Sequence, residues 1–346
     1  MIRFNNDYSE IAHKRILDRF AEISGEQVCG YSEDEYCNEA KEIIKKLIGR
    51  EDAAVYFVVG GTQANLTVIA AALRPHQCAV CADTGHINCH ETGAIEATGH
   101  KVFGLKCENG KINAAQIKEV HDRHVSDDSF EHIAQPKLVY ISQSTEIGTI
   151  YSKKEIEEIY AVCKECGYYL FIDGARLGYA LESSENDADI KDIANNCDVF
   201  YIGGTKCGAM FGEAIVILNE SLKEDFRYLI KQKGGMLAKG WLLGVQFTEL
   251  LKDGLYFEIA AHADRMADKI RAAVKEAGYP FYSESPTNQQ FVIFPDSVLE
   301  KLSKKYVFSY QERMDETHSA VRICTSWATK EENVDELIKD IAESAK

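Results

Sequence analysis

Three glycine-bearing stretches carry the residues best suited to chemistry. At Gly60-Gly61-Thr62 an apolar run gives way to a helical pattern. Glycines there let the backbone approach a ligand, and free N–H groups at a helix start attract an anion. At Asp173-Gly174-Ala175-Arg176 an acid closes a second apolar run, with a guanidinium three residues on. In Gly203-Gly204-Thr205-Lys206-Cys207-Gly208 a single lysine sits among small residues with no carboxylate beside it in sequence. A lysine desolvated in such a pocket forms Schiff bases with carbonyls. In that order the three stretches suit pyridoxal 5'-phosphate. Its phosphate would rest on the helix start after Gly61, Asp173 would face the pyridine nitrogen, and Lys206 would hold the aldehyde carbon, so that the ring accepts an electron pair from the substrate. No Gly-Lys-Ser/Thr follows Gly60-Gly61, so this is not a nucleotide P-loop.

The elements that must position these residues alternate. Helical patterns at 39–48, 63–73 and 153–166 are interleaved with apolar runs at 54–59, 137–141, 168–172, 199–202 and 214–218. Ile156, Ile159, Tyr160 and Cys163 recur at helical spacing. Apolar strands without polar alternation, separated by helices, predict a mostly parallel sheet covered on both faces, with the ligand at the strands' carboxyl ends. From about 220 the pattern changes to long helices at 221–232, 238–252 and 254–277, two isolated strands at 290–294 and 321–324, and a closing helix at 330–344. The expected organisation is a large domain over 20–245 and a smaller α+β domain over 246–346 joined by residues 1–19. The His- and Asp-rich segment 121–135 reads as a surface excursion.

A net charge of −16 disfavours nucleic-acid binding, which needs a lysine and arginine excess. No signal peptide is visible at the N-terminus. Residues 53–73 lack charge, but Gly60-Gly61-Thr62-Gln63-Ala64-Asn65 interrupts the run, so no membrane span is expected. Eleven cysteines are an odd count. Without a secretion signal they read as reduced structural thiols in a cytoplasmic protein. The pairs Cys78/Cys81 and Cys163/Cys166 have metal-like spacing, but the first lies on a strand, where i and i+3 point apart, and the second has no matching pair. No metal site is expected.

The sequence resembles the low-specificity L-threonine aldolases of the β-eliminating lyase group, among the fold-type-I pyridoxal phosphate enzymes. The resemblance rests on Gly30-Tyr31-Ser32-Glu33-Asp34, Gly49-Arg50-Glu51-Asp52-Ala53-Ala54, Gly60-Gly61-Thr62-Gln63-Ala64-Asn65-Leu66, Gly85-His86-Ile87, Glu91-Thr92-Gly93-Ala94, Asp173-Gly174-Ala175-Arg176 and Thr205-Lys206. It implies an α/β fold with a seven-stranded, mostly parallel sheet and a smaller C-terminal α+β domain. It implies cofactor binding by Gly60, Gly61, Thr62, His86, Asp173, Arg176, Thr205 and Lys206, with His86 stacked on the ring. Arg176 would reach the ring's phenolic oxygen or the substrate carboxylate, Arg322 would bind that carboxylate, and Asn6 would assist it. Tyr31 and segment 233–240 would reach a neighbouring subunit's site in a homodimer or homotetramer.

Two departures bear on the chemistry. Glu146, in Gln143-Ser144-Thr145-Glu146, stands where the family usually has a histidine associated with the β-hydroxyl. A carboxylate raised in pKa by burial can accept that proton. Leu237 stands where the family usually has an arginine directed at a neighbouring subunit's phosphate, with Lys233 or Lys239 as candidate substitutes. The implied activity is retro-aldol cleavage of β-hydroxy-α-amino acids such as L-threonine and L-allo-threonine, using Lys206, His86, Asp173 and Glu146. The alternative is β-elimination from serine- or cysteine-like substrates; the remote one is a non-catalytic thiol or metal protein.

Overall fold

The computed structural model describes residues 1–345. Its centre is a seven-stranded sheet of β1 (Ala54–Val58), β2 (Gln77–Ala82), β3 (Lys101–Leu105), β4 (Gln135–Ser142), β5 (Tyr169–Asp173), β6 (Val199–Gly203) and β7 (Glu213–Ile217), in spatial order β1-β7-β6-β5-β4-β2-β3. Neighbours are parallel except at β7, which runs antiparallel to both β1 and β6. Separate hydrophobic clusters cover the two faces, one holding Ile141, Ile172 and Phe200, the other Tyr140, Phe171 and Tyr201. That explains why the strands read as continuous apolar runs.

Local sequence sets the helix boundaries. Asp34 accepts from the Cys37 N–H at the start of α1 (Glu35–Ile48), and Gly49 ends it in the left-handed conformation. Ser152 and Glu155 form a capping box on the helix Lys153–Cys166, which Gly167 terminates. Asn113 and Gln116 do the same for Ala114–Ser126, so His121 and the buried His124 are helical, not part of a surface excursion. The expected helix 221–232 is broken. A short turn at Glu220–Leu222 precedes Phe226–Gln232, because Asp225 takes a left-handed conformation between them.

The C-terminal strands are not isolated. Gln289–Pro295 and His318–Cys324 pair antiparallel at the centre of a four-stranded sheet whose edges are Phe281–Ser283 and the exposed Ser309–Arg313. Ile2–Arg3 pairs in parallel with Tyr306–Val307, and Phe4 is buried in the same small core as Val292, Ile323 and Leu337. The long helix Leu255–Glu276 joins the two cores, burying Tyr256, Ala260 and Ala263 in the large one and Met266, Ile270 and Val274 in the small one. No helix among the described residues is long and apolar enough to cross a membrane.

Asp264 on that helix is 4% exposed, and neither carboxyl oxygen has a hydrogen-bond partner among the described residues. Burial first, then the nearby Asp268 and Glu182, push its carboxyl well above the usual range. A carboxyl raised in the folded state stabilises most when protonated, and that contribution is lost as pH rises from the unfolded value through the folded one. Asp264→Asn mimics the protonated form. It is therefore expected to unfold like wild type in acid but to be more stable at pH 8, by about 1–3 kcal/mol. Urea melts at both pH values check this; equal midpoints at pH 8 would contradict it.

Candidate active site

Strand register brings the chemically suited residues together. Ser142 lies opposite Asp173 across β4 and β5, while Gly203 and Val58 flank Glu213 across β6, β7 and β1. Thus the carboxyl ends of β1, β4, β5 and β6 and the amino end of β7 border one cavity of about 310 Å³. It is lined by Gly60, Gly61, Thr62, His86, Glu146, Asp173, Arg176, Thr205 and Lys206, all singled out from the sequence, and also by Tyr8, Asn65, Tyr201 and Glu213. Two glycines make this convergence sterically feasible. A Cβ at Gly174 would run into the Tyr201 carbonyl oxygen, and one at Gly203 would meet the carbonyls of Gly174 and Ala175.

The helix starting at Gly61 runs to Ala72, and its N-cap, Gly60, supplies no capping side chain. The amides of Gly61 and Thr62 accordingly have no acceptor among the described residues, which leaves an anion site facing the cavity. Asp173 is 4% exposed and accepts four hydrogen bonds: Tyr140 and Tyr201 hydroxyls at 2.5 Å each, Asn65 Nδ2 at 3.1 Å and the Ala175 N–H at 2.9 Å. Burial alone would raise its pKa, but His86 and the two phenols hold it below the ordinary value, so it is a fixed anion.

Lys206 contrasts with it. Among the described residues only its carbonyl is hydrogen-bonded, by the Tyr179 hydroxyl at 2.6 Å, and its ammonium group forms no ion pair. Burial and then the Arg176 charge lower its pKa, which favours the uncharged, nucleophilic amine. His86 Nδ1 lies 2.7 Å from Glu91 Oε1, which also accepts from Asn65 at 2.7 Å, linking the imidazole to the Asp173 network. Burial works against the imidazolium, but Glu91 and Asp173 outweigh it and raise the His86 pKa. Glu146 Oε1 accepts from the His86 N–H at 2.9 Å and the Ser142 hydroxyl at 2.6 Å. Burial raises its pKa, as a base working near neutrality requires.

The remaining candidates are placed differently. Arg176 lines the cavity, but its Nε and Nη2 are held by both oxygens of the buried Asp7, at 2.7 and 3.0 Å. Asn288 bonds the same carboxylate at 2.9 Å. Arg322 does not line the cavity; it donates to Gln289 Oε1 at 3.1 Å and the Asn5 carbonyl at 3.0 Å, and its buried Nε has no partner among the described residues. Asn6, next to that carbonyl, uses its side-chain oxygen to accept from the Tyr8 N–H and the Ser9 hydroxyl. Tyr31 is 46% exposed and lies outside the cavity, under the Lys231 ammonium, with its N–H on the Ala238 carbonyl. Asp7 and Glu213 escaped the sequence reading, and Asn65 and Glu91, though within the stretches that carry the resemblance, were given no role there. Asp7 precedes the sheet by some fifty residues, and Glu213 opens a strand read by its apolar run alone.

An anion-binding helix start, a fixed carboxylate and a half-buried amine with no ion pair among the described residues, on one cavity, fit a phosphorylated aldehyde cofactor with a ring nitrogen. Comparisons point the same way. The family model for β-eliminating lyases matches residues 14–297. A low-specificity L-threonine aldolase from Pseudomonas sp. (strain NCIMB 10558) is 32% identical over 318 residues, 90% of this chain and 88% of that protein. A solved structure of Leishmania major threonine aldolase superposes with a TM-score of 0.98 at 44% identity over the whole of both chains. A putative L-allo-threonine aldolase from Listeria monocytogenes, 18% identical, covers 99% of this chain and 96% of its own with a TM-score of 0.74, and shares the fold.

Proposed function

The chain belongs to the β-eliminating lyase family, and within it we propose a pyridoxal-phosphate-dependent aldolase that splits β-hydroxy-α-amino acids, L-threonine and L-allo-threonine among them, into glycine and an aldehyde. The observation that carries this reading is the unpaired, weakly basic Lys206 amine sharing a cavity with the ionised Asp173 and the uncapped helix start at Gly61. The names of the threonine aldolase relatives support the substrate class.

When bound, pyridoxal phosphate supplies the electron sink for the bond pair left on the substrate's α-carbon. Gly61 and Thr62 amides, with Thr62 and Thr205 nearby, would hold its phosphate, and Lys206 its aldehyde carbon. Asp173, kept anionic by its four donors, would keep the ring nitrogen protonated, and His86, anchored by Glu91, would pack on the ring. Glu146 would take the β-hydroxyl proton: both of its hydrogen bonds fall on Oε1, which leaves Oε2 for the substrate. Arg322, outside the cavity lining but with its Nε lacking a partner among the described residues, is assigned to the substrate carboxylate together with Asn6, and Arg176 holds Asp7 and adds positive charge to the cavity. Tyr31 and segment 233–240, packed side by side, are assigned to a neighbouring subunit's site in a homodimer or homotetramer.

A product assay on cofactor-loaded protein with L-allo-threonine, L-threonine and L-serine tests the reading. Glycine and acetaldehyde from the threonines are expected. Pyruvate from serine without acetaldehyde would instead assign β-elimination.

A further inference from the structure

Glu213 is the one carboxyl at the cavity with no part in the scheme above. It is 3% exposed. It accepts from the Gly204 N–H at 3.1 Å and the Thr205 hydroxyl at 2.9 Å, the two residues that precede Lys206. The Thr205 hydroxyl in turn accepts from the Gly212 N–H at 3.0 Å, so the lysine-bearing turn is laced to the start of β7. We propose that Glu213 is a positioning residue for Lys206: it pins the turn that carries the lysine, and its charge sets how readily the amine reacts. The proposal rests on the cofactor reading above.

Three carboxyls act on the charge of Lys206, and they are not equivalent. Asp7 takes two bonds from Arg176 and one from Asn288, and Asp173 takes four. Both are held below the usual carboxylate range, so their charge is constant. Glu213 has only two neutral donors, and burial pushes it up to about 8 although Lys206 opposes the shift. It alone of the three changes charge near neutrality. Around it stand Lys206 and Asp173, and the Tyr201, Tyr256 and Cys207 side chains, which burial keeps in their neutral forms. From β1, Val58 is paired with Glu213, and Leu243 and Phe247 of the helix Trp241–Leu251 pack against the neighbouring Gly212. Two cations also act on Lys206: the Arg176 guanidinium, which lowers the Lys206 pKa, and the His86 imidazolium, which interacts with the Lys206 charge. The proton balance closes within the pair, since a protonated amine beside a carboxylate and a neutral amine beside a carboxylic acid carry the same net charge.

The sign follows. Above pH 8 the ionised Glu213 favours the protonated amine and slows capture of an aldehyde. Glu213→Gln removes that charge and keeps an acceptor for the turn, whereas Glu213→Asp keeps a titrating carboxyl. The full-length protein, stripped of cofactor, would be mixed with pyridoxal 5'-phosphate across a pH series, and the rate of appearance of the visible band recorded. The Gln variant is expected to capture with a midpoint about one pH unit below wild type, roughly tenfold faster at a fixed pH on the rising limb, and the Asp variant to resemble wild type. Superimposed profiles for wild type and Gln, with the cofactor captured by both, would overturn the inference and leave the cofactor reading intact. Wild-type protein that captures no cofactor would overturn both. If the Gln variant does not fold, the wild-type profile decides alone: two ionisations support the pairing and a single one overturns it.

Discussion

Lys206→Ala is expected to remove the visible band of the Schiff base between Lys206 and the cofactor and to lower glycine release by at least about 10³-fold, the largest effect of any single substitution, because a positioned nucleophile has no substitute in bulk solvent. The cause is specific to the site. Tyr179 holds the Lys206 backbone by its carbonyl, burial and Arg176 favour the neutral amine, and among the described residues no other lysine lines the cavity. Lys206→Arg is expected to fail equally, since a guanidinium stays protonated and forms no Schiff base. Neither change removes the anion site at Gly61, so cofactor binding is weakened rather than lost. Dialysis followed by an absorbance spectrum and a glycine assay checks each point. An unchanged visible band in the alanine variant would sink the assignment of Lys206.

Glu146→Gln is expected to lower aldol cleavage by about 10²–10⁴-fold, the usual range for removing a general base, while the visible band stays as in wild type. The introduced glutamine is nearly isosteric, and its side-chain oxygen would still accept from the His86 N–H or the Ser142 hydroxyl, so the wall of the cavity is kept. What disappears is a carboxylate raised in pKa by burial and therefore basic enough to accept a hydroxyl proton. The pH dependence carries the sign. The working form is the carboxylate, so wild-type kcat/KM falls as pH drops through the raised Glu146 value, and that acid limb is absent from the residual activity of the Gln variant. An acid limb that persists at the same pH would assign it to another group, His86 first.

The parts of the site legible in the sequence were those set by a local rule. Gly60-Gly61-Thr62 advertised a strand-to-helix turn, Asp173 the end of an apolar run, and Lys206 an unpaired cation among glycines, and all three kinds of signal lie within a few residues. The alternation of helices and apolar strands carried the α/β fold for the same reason, because burial on both faces of a parallel sheet is visible in each strand separately. The strands at 101–105 and 309–313 were missed because each is an edge strand with exposed or half-buried residues, which lacks that mark.

By itself, then, the sequence determined which short segments turn, which are buried and which side chains can act as nucleophile, fixed anion or anion cradle, since each depends on neighbours along the chain. Only the tertiary structure decided who faces whom. It paired Arg176 with Asp7 across 169 residues, tied His86 through Glu91 and Asn65 to Asp173, and set Arg322 against Asn5. It also brought Glu213 to Lys206, because β7 runs against its neighbours and presents its first residue where every parallel strand presents its last. Such partners meet only when the sheet is assembled, and the pKa of each buried group is set by the partner it meets there, not by its place in the chain.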